Sequence, residues 1–539
     1  MVHMKKINPF IQLLLVTFFI AFTVQAQEKK SEQPFTVSLQ KRPASKEEKG
    51  AFIIAHEVQQ WLPSQTAIII CDMWDKHWCS GATQRVGEMA PKINEVITIG
   101  RQKGMLIVHA PSDCMNYYKD YPGRKLAKKY YSKKYAKIIG DGLLETEKGA
   151  EWPIDQSDEG CEDAGDTPHG VWTKQHDAIE IKEGDAISDA GAELAGLFKA
   201  RGIKNIILTG VHTNMCVIGR SFGLRNMIRL GMNVVLLRDL TDLMYNSKMR
   251  PYVSHFTGNS LMAEYIEKYV CPTIVSTDFT ARKQFRFSND KRPIVAFLTA
   301  EGEYKANQHL PEFGHELLLK EGYNCEYSTG FPLMEGPGRH NLENMQILND
   351  ADLAVIFIRR IALEPEKMAL LKDFVNRGKP IFGIRTASHA FDAKGNVPRE
   401  GGTVVASKEK VSGLLEQWPT FDSAVLGGNY QGHYDHLEEP TVINIIPGME
   451  QHPLLKGVPA EGFNSKNWLY KNAPLRSPNA QVLLTGTIPN QKPEPVLWVN
   501  NTGKNKVVYT SLGHWEDWNT PAVQHLFVNV IHYLVPDSK

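Results

Sequence analysis

Three things are scarce in this sequence, and each scarcity excludes a class. Cysteine is rare, with seven in 539 residues. That is too few for a disulfide framework, and an odd count leaves at least one thiol unpaired. A charge surplus is missing as well. The 61 Lys and Arg against 60 Asp and Glu give a net charge of +1, without the basic excess that phosphate contacts demand, so nucleic acid is not an expected partner. Long apolar runs are absent after the N-terminus, so no later segment reads as a membrane span. No period of 20 to 50 residues recurs, which argues against solenoids and propellers. The remainder, 42% hydrophobic and 22% charged, is ordinary globular composition and excludes wholesale disorder, collagen and coiled coil. The length allows three or four average domains or two large ones.

The first residues read as an export signal. Lys5 and Lys6 precede an apolar run from Phe10 to Val24, and Val24-Gln25-Ala26 offers a cleavage site before polar residues. That three-part layout is a cleaved signal peptide, 1–26, and an uncleaved anchor is the alternative. The mature chain is then periplasmic or secreted and meets no membrane. Residues 27–62 are polar and read as a connecting segment with a little edge structure.

From Thr66 short apolar runs alternate with helical patterns. The runs are Ala67 to Cys71, Met105 to Val108, Ala178 to Ile181, Asn205 to Leu208, Asn233 to Leu237 and Thr273 to Ser276. Strands buried on both faces belong to parallel sheets. A helix is expected with Ser188 as N-cap and Gly202 as its stop. Residues 63–282 therefore form a six-stranded, doubly wound α/β domain. A charged linker, 283–292, leads to a second α/β domain, 293–537. Its strands are expected at Ile294 to Leu298, Leu353 to Ile358, Pro380 to Ile384, Gln481 to Leu484, Val496 to Val499 and Val507 to Thr510. Helices are expected at Leu310 to Lys320 and Pro365 to Arg377.

Open parallel sheets carry their sites beyond the carboxyl ends of strands. Asp72 ends the first run. Cys216 follows the strand that ends at Thr209-Gly210, where a helix beginning at Val217 would lower the thiol pKa. Lys174 precedes the run at Ala178. A thiol with a carboxylate and an ammonium forms a coherent nucleophilic set, whereas a lone Cys after a strand is more often inert core.

The segments "IIICDMWDKHWC", "GVWTKQHDAIEI" and "GVHTNMCVIGRSFGLRNMIRLGMNVVLLRDLTD" carry these residues in one order. In them the chain resembles the isochorismatase-like cysteine hydrolases, nicotinamidases included. The resemblance implies hydrolysis of a C–N bond in a small amide, carbamoyl or ureido compound. Cys216 is then the nucleophile, Asp72 the proton acceptor and donor, and Lys174 the support of the thiolate. It also implies a cis peptide between Val211 and His212, beside the region of Met215 and Cys216 where an oxyanion would be held. True isochorismatases lack the cysteine, so its presence points to the amidase branch. Such proteins often form homo-oligomers, which stays open here.

No cofactor is assigned with certainty. A divalent metal is the open alternative, with His109, Asp113, Asp75 and His77 as ligand types, but three protein ligands do not assemble by spacing. The Lys- and Tyr-rich insert from Tyr117 to Ile138 reads as a solvated surface element or as a lid for an anionic substrate. Cys79, Cys114 and Cys161 lie near the site, and a pair of them could form a disulfide in an oxidising compartment.

In the second domain "GKPIFGIRTASHAF" has the strand, turn and helix start of a nucleophile elbow. It resembles the class I glutamine-amidotransferase turn, with Arg385 where that family has its Cys. "TSLGHWEDW" supplies His514 and Glu516 in the place of the base and its acid. With "TAEGEYKANQHLPEF" and "GGNYQGHYDH", the domain is similar to the ThuA-like (trehalose utilisation) branch of this flavodoxin-like fold. Arg stays protonated and is no nucleophile. The candidate residues are Arg385, His389, His433, His514 and Glu516, with His309, His436, Trp515 and Trp518 nearby. They suit a sugar ligand with His514 as a general base, and Ser388 is the alternative nucleophile. Two readings of the whole compete: an exported amide hydrolase acting through Cys216, or a carbohydrate-binding or carbohydrate-processing protein whose first domain is degenerate.

Overall fold

The structure is a computed structural model. It describes residues 32–163, 169–330, 340–394, 396–399, 402–405, 414–435, 439–466 and 468–536. The signal-peptide region and His436 lie outside the described residues.

The first sheet has eight strands: β1 (Phe35–Lys41), β2 (Ala55–Trp61), β3 (Thr66–Cys71), β4 (Leu106–Ala110), β5 (Ala186–Ile187), β6 (Asn205–Val211), β7 (Asn233–Asp242) and β8 (Thr273–Ile274). Their order is β2-β1-β8-β7-β6-β3-β4-β5. Six of them, β8 to β5, run parallel. Every residue of β3 is buried. Ile68 and Ile70 join one apolar layer, while Ala67, Ile69 and Cys71 join the opposite one, as period-2 side chains must when both faces are covered. Helix Ser80–Lys103 covers one face through Val86, Met89, Ile93, Val96 and Ile97, at helical spacing.

Two expectations need correction here. Residues 178–181 form no strand. Ile179 is buried, but its segment is an irregular loop, and the sixth parallel strand is the two-residue β5. The 27–62 segment does more than decorate an edge. β1 and β2 pair antiparallel over seven residues, and β1 docks beside β8. The helix expected from Ser188 runs Gly191–Arg201, with Ala190 as N-cap and Gly202 (φ +70°) as its stop.

The second sheet has β9 (Ile294–Ala300), β10 (Asn324–Thr329), β11 (Leu353–Ile358), β12 (Ile381–Ile384), β15 (Thr441–Ile445), β16 (Phe463–Ser465), β17 (Ala480–Thr487), β18 (Glu494–Thr502) and β19 (Asn505–Thr510). The order is β10-β9-β11-β12-β19-β18-β17-β15-β16. The strands from β10 to β19 are parallel, and the rest are antiparallel. A separate hairpin joins β13 (Asn396–Arg399) and β14 (Gly402–Val405). The helix expected at Leu310 to Lys320 runs Ala306–Glu316 and ends in a wider turn, Leu317–Glu321. Both domains are therefore α/β, each built on a mixed sheet whose central strands run parallel. Among the described residues no helix is long and apolar enough to cross a membrane.

Candidate active site

The first sheet winds from β3 through β4 to β5 in one direction, and from β6 through β7 to β8 in the other. Its switch point lies between the carboxyl ends of β3 and β6, where such sheets open a crevice. Asp72 leaves β3 with φ +46°, a left-handed conformation that costs a non-glycine residue about 1–2 kcal/mol. Gly210 (φ +104°) lets β6 pass close by: a Cβ there would sit 2.1 Å from the Cys71 carbonyl oxygen. The Val211–His212 peptide is cis. The chain then makes one wide turn, Thr213–Val217, which presents Cys216 to Asp72.

Asp72 is wholly buried. Its Oδ1 accepts the Ser112 N–H at 2.7 Å, and its Oδ2 accepts Arg220 Nε at 3.3 Å. The Cys216 thiol stands beside this carboxylate, and the two act on each other electrostatically. Burial raises the Asp72 carboxyl above its usual range, while Arg220 opposes that rise. Burial and the Asp72 charge together push the Cys216 thiol up to about 12. The lowered thiol pKa expected from a helix start is thus corrected: at this position desolvation and a facing carboxylate outweigh the dipole of one broken turn. Cys216 is half-buried, while Cys71, Cys114 and Cys271 are buried.

Arg220 is the site residue that sequence reading missed. Its guanidinium lies one turn past Cys216 and is 34% exposed. It bridges Asp72 to Asp113, with Nη2 3.5 Å from the Asp113 carboxylate. Lys174 turns elsewhere, its Nζ 2.5 Å from Asp177. Its backbone N–H reaches Asp75 at 3.4 Å, and Asp75 also holds Thr173 by N–H and hydroxyl.

Aromatic rings wall the crevice. Trp74 and Trp172 stack with centroids 4.3 Å apart, and His77 stacks on Trp172 at 5.7 Å. Cys216 packs against this group, which also includes Cys114 and Tyr118. Tyr118 anchors the basic insert, its hydroxyl accepting the Gln175 N–H at 2.8 Å. The insert itself is helical at Pro122–Lys128 and Lys133–Ala136. A disulfide joins Cys79 to Cys161 and packs with Met215 and Met244 behind the Cys216 turn. His212 is buried against His77, ring centroids 5.0 Å apart, and burial holds it neutral, well below its ordinary pKa.

The metal-ligand types do not converge. His109 spends both ring nitrogens, on Gln175 at 2.9 Å and Asp185 at 3.1 Å. Among the described residues no three His, Cys, Asp or Glu side chains come together as a ligand set.

The second sheet reverses between β9 and β11, and its carboxyl ends gather another crevice. Arg385 ends β12 with φ +46° and is wholly buried. Its guanidinium lies 4.1 Å from the Tyr304 ring centroid and 4.9 Å from that of Tyr470, and Nη1 donates to the Ser511 carbonyl at 2.9 Å. Tyr304 separates it from His514, 5.8 Å between rings. His514 stands 3.7 Å from Glu516, which is also bound by Lys466 at 2.9 Å. His389 stacks on Tyr430 at 4.4 Å. Exposed His433 faces Trp468 instead, and His309 stacks on Trp518. Tyr304, Tyr430 and Tyr470 are further residues that the sequence did not single out.

The family model for the isochorismatase domain matches residues 172–247, and that for trehalose utilisation (ThuA) matches 339–534. No curated protein matches the chain. Among solved structures, a cysteine hydrolase from Pseudomonas syringae pv. phaseolicola 1448A is 15% identical, covering 40% of this chain and 91% of that one with a TM-score of 0.25. A putative ThuA-like protein from Parabacteroides merdae is 15% identical over 46% of this chain and 91% of its own, with a TM-score of 0.29. An isochorismatase family protein from Burkholderia thailandensis is 14% identical over 40% and 95%, with a TM-score of 0.24. The chain thus carries one region similar to the isochorismatase domain and a second similar to the trehalose utilisation (ThuA) family.

Proposed function

We propose that the first domain is an amidase that hydrolyses a non-peptide C–N bond of a small amide, carbamoyl or ureido compound through Cys216. The observation that carries this reading is the Cys216 thiol set close enough to the buried Asp72 carboxylate at the switch point to feel its charge. As Cys216 Sγ attacks the carbonyl carbon, its proton passes to Asp72. The tetrahedral oxyanion is held by backbone N–H groups of the His212 to Cys216 turn. The intermediate collapses as Asp72 returns the proton to the departing nitrogen, leaving a thioester and ammonia or an amine. Water then attacks the thioester, Asp72 takes its proton, and the acid product leaves as Cys216 regains its hydrogen. A carboxyl raised by burial is a better match for a thiol proton than an ordinary carboxylate, which lowers the cost of the first transfer. Arg220 keeps that carboxyl ionised and offsets the charge that develops on sulfur. In this reading the guanidinium takes the supporting place that the resemblance gives to Lys174, whose ammonium pairs with Asp177.

The Cys79–Cys161 disulfide supports an exported, periplasmic or secreted protein, since such bonds persist in oxidising compartments. The test is ammonia release from a panel of amides and ureido compounds by the full chain. Cys216→Ser should abolish turnover with the melting temperature unchanged, and equal turnover by both proteins ends the proposal. A second reading rests on Trp515, 40% exposed and stacked over Tyr304 at 6.1 Å, a surface suited to a sugar face at the second crevice.

A further inference from the structure

Behind the Cys216 turn lies a segment with neither helix nor strand. Residues 154–163 form only turns and bends, and contacts with the chain that leaves β7 hold them in place. Gly160 passes so close that a Cβ there would sit 2.4 Å from the Met244 carbonyl. Asn246 Nδ2 donates to Asp158 at 2.8 Å, and the Ser247 N–H donates to Glu162 at 2.6 Å. The disulfide adds a covalent tie. It joins Cys161 to Cys79, the residue that precedes helix Ser80–Lys103, across 82 residues of sequence. The Cys79 N–H in turn donates to Nδ1 of His77 at 3.1 Å, so the tie ends at the crevice wall.

The segment reaches the Cys216 turn through Gln156. Its Oε1 accepts Asn214 Nδ2 at 2.6 Å, and Asn214 lies two residues before Cys216. The same Nδ2 donates to the Met244 carbonyl at 2.8 Å, while Oδ1 accepts the Met244 N–H at 2.9 Å. Asn214 is buried. Both of its amide hydrogens and its oxygen are used, so one orientation of the amide satisfies them all. Without the Gln156 oxygen a buried N–H would lose its acceptor. Thr213, the preceding residue, is fixed by its hydroxyl to Thr241 Oγ1 at 2.7 Å and to the Asp242 carbonyl at 2.9 Å. On the other side Met215 packs against the disulfide. A single wide turn, Thr213–Val217, has few backbone bonds of its own to set its aim. The side chains flanking it therefore decide where Cys216 Sγ stands relative to Asp72.

We propose that Gln156 is a positioning residue for Cys216, acting through Asn214, and that the Cys79–Cys161 disulfide holds Gln156 in place. This inference deepens the hydrolase reading and rests on it. The test uses the full chain and two readouts. One is kcat and KM for an amide that the ammonia-release panel identifies. The other is the rate at which iodoacetamide alkylates Cys216 near neutral pH, followed by peptide mass spectrometry, which needs no substrate. A misplacement of about 1 Å made away from the chemistry can cost about 100-fold. Gln156→Leu should therefore lower kcat by about 10- to 100-fold with KM within about twofold, the pattern of a lost transition-state alignment. The same variant should raise Cys216 alkylation by about fivefold or more, as the released turn leaves its half-buried place. Gln156→Glu keeps the acceptor oxygen and should restore both readouts to within about threefold. Cys79→Ala with Cys161→Ala should move both readouts as Gln156→Leu does. Adding Gln156→Leu to that pair should change little more, because the two act along one path. Unchanged alkylation in Gln156→Leu overturns the proposal, as does Gln156→Glu behaving like Gln156→Leu. Effects of disulfide removal and Gln156→Leu that multiply overturn the link between them. If no amide is turned over, the hydrolase reading fails alone, and the alkylation rates of the Gln156 variants still decide whether this residue places the thiol.

Discussion

Asp72 and Arg385 occupy matching places in the two domains. Each ends a central parallel strand, each has φ +46°, and each is wholly buried. Their surroundings differ. Asp72 faces a thiol and one guanidinium, with its carboxyl raised by burial. Arg385 faces tyrosine rings, and its charge is permanent. The same strained bend thus presents a proton-exchanging group in one domain and a fixed cation in the other. A backbone device does not by itself specify chemistry; the side chain placed on it, and what that side chain touches, does.

The largest expected effect breaks the comparison at its centre. Asp72→Asn should reduce kcat/KM for amide hydrolysis by about 10²–10⁴, the usual contribution of a positioned acid–base group, while Arg385→Gln leaves it within about twofold. Parallel losses in both variants would show that the domains share one site. Next comes stability at the paired glycines. Gly210→Ala drives a Cβ into backbone, 2.1 Å from the Cys71 carbonyl, and should cost more than about 3 kcal/mol of unfolding free energy. Gly513→Ala meets the Ile384 side chain at 2.7 Å, and should cost about half as much because a side chain yields more readily than backbone. Denaturant titration separates the two.

A smaller effect tests which cation serves the thiol. Arg220→Met should lower kcat/KM by about 10- to 100-fold, or about 1.4–2.7 kcal/mol, against less than about threefold for Lys174→Met. The reverse order would restore Lys174 as the supporting residue. The smallest effect is a shift in pH dependence. Asp72 must be ionised to accept the thiol proton, so kcat/KM should fall as pH drops through a midpoint above the ordinary Asp value of about 3.9. Because Arg220 holds that carboxyl down, its removal should move the acid limb to higher pH. An unmoved limb would mean that another group sets it.

Much of this was legible in the sequence, for identifiable reasons. The strands at 66–71, 205–211, 294–300 and 353–358 are continuous apolar runs because both faces of each are covered. The 178–181 run misled because apolar residues also pack beneath irregular loops. β5 escaped because two residues carry no periodicity. The β1–β2 hairpin escaped because its burial alternates, as an edge strand's does. Cys216 and Asp72 were visible as strand-end residues. Arg220 was not, since its approach depends on the wide turn at 213–217 breaking the expected helix. The tyrosines around Arg385 come from segments 304, 430 and 470, and only the folded sheet brings them together.

The hairpin at the start of the described chain also sets an order of assembly. Gln40 pairs with Thr273, the Ile54 N–H donates to the Asn307 carbonyl at 2.9 Å, and the His56 N–H donates to the Thr329 hydroxyl at 3.0 Å. The hairpin must therefore wait for partners that lie up to 273 residues further along the chain. Until then its open edge is a surface that a chaperone, or another nascent copy, is free to occupy.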